Sequence, residues 1–234
     1  MFNYIFHVHT YRCGHASDEK EEEYILKAME LGANQITFTD HAPFPGDPFG
    51  SRMRMSQLPE YIKTLKELKE KYKDLIDVQI GLEAEYLPKF NDYYKQLYDS
   101  GDFDLLMIGQ HLYQVDDERY SFSLTADELK EKEAENFCIA MIEGIKTGYF
   151  KIVAHPDRMF RKCTGWTEKM QRISLKFLET AKQYEITIEK NMSSMEYQYM
   201  YWEQFWELND FDIKVIVGSD AHSVAEMKLI QMEK

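Results

Sequence analysis

Short apolar runs rich in β-branched residues alternate with longer stretches of helical periodicity along the whole of this 234-residue sequence. The short runs fall at 4–8, 35–39, 77–82, 105–109, 151–154, 185–189 and 214–218, and runs of this kind read as strands. Parallel neighbours need a crossover that returns the chain to the same edge, so the alternation predicts a parallel βαβ series. Successive strand ends lie near the roughly 30 or more residues of one βα unit apart. No linker interrupts the series. Residues 1–234 are therefore expected to form one domain, within the roughly 200–250 residues that an α/β barrel takes.

The helical stretches carry their own signals. Residues 57–73 place Leu58, Ile62, Leu65, Leu68 and Tyr72 on one side, with Lys and Glu opposite, which predicts an amphipathic helix with a solvated charged face. Thr125 followed by Glu128 has the spacing of a capping box ahead of a helix carrying Phe137, Met141, Ile142 and Ile145, and Ser193 with Glu196 repeats it. Tyr197, Tyr201, Phe205 and Leu208 form a further helical stripe, read as core packing. The stretch 42–56, with three prolines and two glycines, is a long βα loop expected to form part of a lid.

A formal net charge of −13 opposes the clustered Lys and Arg that polyanions require, so nucleic acid and anionic membranes are not expected partners. No run approaches the length of a membrane span, and no basic segment followed by an apolar one opens the chain. Cys13, Cys138 and Cys163 are odd in number and lack C-x-x-C spacing. No disulfide is expected, and the expected location is the cytoplasm.

Of the seven histidines, His7, His9, His41, His111, His155 and His222 sit at expected strand ends, and His15 follows the first strand. In a parallel barrel those ends converge on one mouth. One histidine at a strand end reads as a hydrogen-bonded structural residue; seven gathered at one end of successive units read as a metal site. His7 and His9 are two apart and project to one side of a strand, and Asp220 and His222 repeat the spacing. Glu83 adds oxygen to the imidazoles, a mixture that suits Zn²⁺, Fe²⁺ or Mn²⁺ better than Ca²⁺. Asp40 is expected to orient a neighbouring imidazole instead of ligating, Glu85 either to share the strand face of Glu83, if that strand continues, or to be an exposed loop acid, and Cys13 to be an incidental small residue.

Taken in order, H-x-H-T at His7 to Thr10, His15, Asp40-His41, G-L-E ending at Glu83, I-G-x-H ending at His111, A-H-P-D around His155 and G-S-D-A-H ending at His222 resemble the polymerase-and-histidinol-phosphatase (PHP) superfamily over nearly the whole chain. H-A-P-F-P from His41 and I-E-K-N ending at Asn191 resemble its histidinol-phosphate phosphatases. The resemblance implies an α/β fold, a distorted seven-stranded (β/α)7 TIM-like barrel of PHP type, carrying three divalent ions (Zn, Fe or Mn). By motif, His7, His9, Glu83 and Asp220 would hold one ion, Glu83, His111 and His155 a second, and His15, His41 and His222 a third, with Glu83 as the bridge. Gln110 stands where the family often has Ser, and the chain ends soon after His222, so a curtailed closing helix is expected.

The implied activity is hydrolysis of a small phosphate ester, foremost L-histidinol phosphate, by attack of a metal-bridging hydroxide on phosphorus. Arg158 and Arg161, just beyond His155, are candidates to bind the phosphate, with Arg119 and Lys190 next in line. Asp220 is a candidate to hand a proton through water to the leaving group. Two other readings carry the same ligands: a phosphoesterase for a nucleotide or sugar phosphate, and a non-catalytic metal-binding accessory domain.

Overall fold

A computed structural model describes residues 2–197, 200–208 and 210–232. Strands and helices alternate along it: β1 Phe2–Val8, α1 Glu21–Glu30, β2 Gln35–Phe38, α2 Leu58–Tyr72, β3 Asp77–Ala84, α3 Asn91–Ser100, β4 Leu105–Ile108, α4 Ala126–Thr147, β5 Ile152–Val153, α5 Glu168–Gln183, β6 Thr187–Asn191, α6 Met192–Met195, α7 Glu203–Glu207, β7 Val215–Gly218 and β8 Ile230–Met232. All seven expected strands form, with ends displaced by a few residues. The eighth was not anticipated: where a curtailed helix was expected, the chain makes a short turn at Val224–Glu226 and then β8, antiparallel to β1.

The chain folds into two compact units, one of residues 1–83, 95–106 and 217–234, the other of residues 84–94 and 107–216. In the first, β1 pairs in parallel with β2 through Tyr4 and Gln35, and β2 with β3 through Gln35 and Asp77. The side chains of Ile5, Val8, Ile36, Phe38, Val78 and Leu82 are fully buried. Helix α2 covers nearly the expected span, but Tyr61 takes the place assigned to Ile62 on its buried face. Its ring fills the core and its hydroxyl donates to the Gly81 carbonyl at 2.9 Å, which satisfies the polar tip of an otherwise apolar body.

In the second unit β4, β5 and β6 pair in parallel, Met107 beside Ile152 and Ile152 beside Thr187. Helix α4 opens on the predicted capping box, with Thr125 Oγ1 accepting from Glu128 N and Glu128 accepting from Thr125 N. It buries Phe137, Met141, Ile142 and Ile145. Gly144 lets it approach closely, since a Cβ there would stand 2.7 Å from Ile108 Cδ1.

Two local expectations fail. Asn191, not Ser193, caps α6, its side chain accepting from Ser194 N at 2.8 Å. The aromatic stripe does not form one helix: of its four residues only Phe205 lies in a helix, α7, where it is fully buried, while Tyr197 is about half exposed. A buried carboxylate explains the division. Asp157 accepts from Trp202 N at 3.0 Å, a donor that a continuous helix would pair internally, and from the indole Trp206 Nε1 at 3.1 Å. Among the described residues, no helix is long and apolar enough to cross a membrane.

Candidate metal centre

The first unit gathers seven of the nine expected ligands. Strands β1, β2 and β3 run the same way, so their C-terminal ends bring His7, His9, His41 and Glu83 to one edge. Backbone pairing then interleaves the G-S-D-A-H segment with this edge: His9 N donates to Ala221 O at 2.8 Å and Ala221 N to His7 O at 3.0 Å. His7 and Asp220 hold left-handed backbone, with φ of 66° and 54°. That conformation costs a non-glycine residue about 1–3 kcal/mol and concentrates at functional sites.

Glu83, 1% exposed, is the hub. Its Oε2 lies 3.0 Å from His41 Nδ1 and 3.6 Å from Nε2 of both His7 and His9. Asp220 Oδ1 lies 3.5 Å from His7 Nε2 and 3.2 Å from His9 Nε2. A second group stands beside this one, with the His15 and His222 ring centres 4.6 Å apart and those of His15 and His41 5.3 Å apart. Within each of the triads His7–His9–Glu83 and His9–His41–His222, one donor atom per residue lies within 4.8 Å of the others.

The imidazoles are set for ligation. His15 Nδ1 is 3.2 Å from the Cys13 carbonyl and His222 Nδ1 is 3.1 Å from the Asp220 carbonyl. A carbonyl can only accept, so Nδ1 carries the proton and Nε2 presents its lone pair. His222 Nε2 and His9 Nδ1 are buried without a hydrogen-bond partner among the described residues, a costly arrangement that a cation would relieve. Burial pushes the pKa of His9 well below the ordinary value, with His41 adding to the effect. Desolvation likewise lowers His15 and His222. Neutral imidazoles and acidic oxygens at this density fit a divalent transition ion.

Asp40 works differently from the expectation. Its fully buried carboxyl, pushed up to about 7 by burial, accepts from Thr10 N at 2.9 Å and from Thr10 Oγ1 at 3.0 and 3.1 Å. It orients a loop and not an imidazole: Thr10 caps the turn Tyr11–Cys13, and Gly14, at φ 78°, swings the chain round to His15. Cys13 is buried, its thiol pushed up to about 11 by burial, and its sulfur lies within 4.8 Å of donor atoms of His15 and His222. The 42–56 loop and the Tyr11 turn line a cavity of about 500 Å³ that includes Arg52 and Arg54.

The second unit brings His111 and His155 together, ring centres 5.1 Å apart. His155 also holds a left-handed backbone, at φ 32°. Glu85 is not an exposed loop acid: it is 1% exposed, with Oε1 3.3 Å from His111 Nδ1. It stands just past the end of β3, two residues after Glu83, the spacing that puts alternate residues of an extended chain on one side. Glu189, the acid of I-E-K-N, is fully buried and accepts from His155 N at 3.3 Å.

The two arginines part company. Arg158 donates to Ser194 Oγ at 2.6 Å and to Asn191 Oδ1 at 2.9 Å. Arg161 instead forms an ion pair with Glu133 at 2.8 Å. Arg119 is exposed and paired with Asp116, and Lys190 lies over the rings of Tyr201 and Trp206.

A PHP domain model matches residues 6–193. A histidinol-phosphatase of Bacillus subtilis is 27% identical over 94% of both chains. A probable histidinol-phosphatase of Deinococcus radiodurans is 33% identical over 45% of this chain and 40% of its own length. Two crystal structures share the fold. A histidinol phosphatase of Listeria monocytogenes, described as putative, has TM-score 0.77 and 20% identity, covering 95% of this chain and 96% of its own. The histidinol phosphate phosphatase of Lactococcus lactis, complexed with Zn, L-histidinol and phosphate, has TM-score 0.73 and 21% identity, with coverages of 95% and 87%.

Proposed function

The chain belongs to the PHP domain family and shares an α/β fold with a histidinol phosphatase structure, and from that premise we propose that it hydrolyses L-histidinol phosphate to L-histidinol and phosphate. It is a phosphoric monoester hydrolase in this reading, acting on a small soluble ester. The observation that carries it is Glu83, buried among the imidazoles of His7, His9 and His41 at 3.0–3.6 Å, in a chain whose full-length relative from Bacillus subtilis is a histidinol-phosphatase.

His7, His9, Glu83 and Asp220 would hold one divalent ion and His15, His41 and His222 another. The third set, His111 and His155 with Glu83, rests on the family resemblance. Zn²⁺ is favoured by the Lactococcus relative, and Fe²⁺ and Mn²⁺ accept the same donors. Bound there, such ions supply a nucleophile at neutral pH and neutralise phosphoryl charge. The chain's own residues do the rest. Burial disfavours protonation of His9, His15 and His222, and Glu83 fixes the spacing of the imidazoles around it.

Arg158, braced by Asn191 and Ser194, offers its guanidinium to the phosphate. Arg158→Ala is expected to cost about 2–4 kcal/mol in kcat/KM, the scale of a charge-assisted contact in a desolvated site, with metal content unchanged. Steady-state kinetics with elemental analysis decides it, and wild-type kinetics would take Arg158 out of the site.

Phosphate release from L-histidinol phosphate beside nucleotide and sugar phosphates tests the substrate. The highest kcat/KM should fall on L-histidinol phosphate. A preference for one of the others would put the chain with a different ester, and turnover of none would make it a metal-binding accessory domain.

A further inference from the structure

The bidentate edge of Arg161 is already occupied. Its Nη2 donates to Glu133 Oε1 at 2.8 Å and its Nε to Glu133 Oε2 at 3.3 Å, so the fork that would grip a phosphate grips a carboxylate instead. Glu133 is 1% exposed on α4. One helical turn later on the same face, Phe137 lies under the guanidinium at 5.1 Å. A carboxylate buried this deeply is stable only if paired, and the pair does more than satisfy itself. Arg161 Nη2 also donates to the main-chain carbonyl of His111 at 3.2 Å.

His111 is thereby held from several directions. Glu85 faces its Nδ1. The amide of Gln110 accepts from Tyr86 N at 3.0 Å and donates to Tyr86 O at 3.2 Å and to Leu112 O at 2.5 Å. The ring is set by Glu85, the flanking chain by Gln110, and the carbonyl by the Glu133–Arg161 pair.

We propose that Arg161 is a positioning residue: locked by Glu133, it fixes the main chain of His111 so that Nε2 of that histidine is preset as a metal donor. The proposal rests on the reading of His111 as a ligand, and the experiment separates the two. Outer partners of metal-bound histidines typically change affinity about 10- to 100-fold when removed.

Zinc retention against a competing chelator, with ions counted per chain, should show one class of ion held about 10- to 100-fold less tightly in Arg161→Met and in Glu133→Gln. The double variant should be no weaker than the worse single one, because both act through one contact. Arg161→Lys, which keeps the charge and one bond to Glu133, should recover part of the loss. Melting temperatures in excess chelator report general damage. The expected signature is a smaller rise on adding zinc, beyond any change in the metal-free protein. His111→Ala should lose the same ion. If His111→Ala loses an ion while Arg161→Met and Glu133→Gln bind zinc like wild type, the positioning role is overturned. If His111→Ala keeps every ion, His111 is no ligand, and the inference falls with that reading.

Discussion

Glu83→Gln should lower turnover by about 1,000-fold, ~4 kcal/mol in activation free energy. The substitution keeps the shape and removes the acidic charge. In the native site Oε2 faces three imidazoles, at 3.0 Å for His41 and 3.6 Å for His7 and His9. An amide could put an NH₂ in that place, aimed at the nitrogens that must ligate, or an oxygen that attracts cations weakly. Either orientation weakens the bridge that the PHP resemblance assigns to Glu83, and with it the activation of water. The fold should persist, because the pairing of Ala42 N with the Glu83 carbonyl is made by the backbone. Circular dichroism, metal analysis and kcat on the purified variant provide the check. Near wild-type turnover with metals retained would show that Glu83 is not the bridge.

Metal removal is the second large effect. Purified protein should carry more than one equivalent of transition metal, since the donors fall into separate groups around Glu83 and around His15 and His222. Chelation should abolish hydrolysis, and Zn²⁺, Fe²⁺ or Mn²⁺ should restore it. It should also lower stability, because a ligand that binds only the folded chain contributes about 4 kcal/mol when free ligand exceeds Kd about 1,000-fold. For a chain of this size that is on the order of 10 °C in Tm.

The pH dependence has a definite sign. His9, His15 and His222 have lowered pKa values, so proton competition for those nitrogens sets in below the ordinary imidazole range and metal should be kept on dialysis at about pH 6. Elemental analysis and calorimetry measure both effects. One equivalent or less in fully active, metal-replete protein would end the multinuclear reading.

The parts legible in the sequence were those written in local pattern. Strand runs, the α2 stripe and the Thr125 cap each follow from a few neighbouring residues. The histidines could be placed at strand ends from pattern alone, because parallel strands send every end the same way. Glu85 stayed open between a neighbour of Glu83 and a loop acid, because nothing local shows how far β3 continues. Asp40 adjoins His41 in sequence, but its bond to Thr10 joins residues 30 apart. The division of the aromatic stripe depends on Asp157, some 45 residues before Trp202. Arg161 had a phosphate-binding pattern, and only the burial of Glu133 reveals what it holds. Gln110 looked like a departure from the family; its amide reaches two chain segments that a serine hydroxyl could not span.

The first unit is discontinuous in the chain, and this bears on the order in which it can be made. His7, His9, His15, His41 and Glu83 emerge early in synthesis, while Asp220 and His222 follow only after the whole stretch 107–216. Until then, the growing polypeptide displays a histidine-rich strand end without Asp220, and β1 without its antiparallel neighbour β8. Metal captured at that stage would meet an incomplete cage. A cage that needs both His7 and Asp220 can load only once their segments have paired, 3.5 Å apart, so ions bound there would act as late fasteners between segments far apart in the chain.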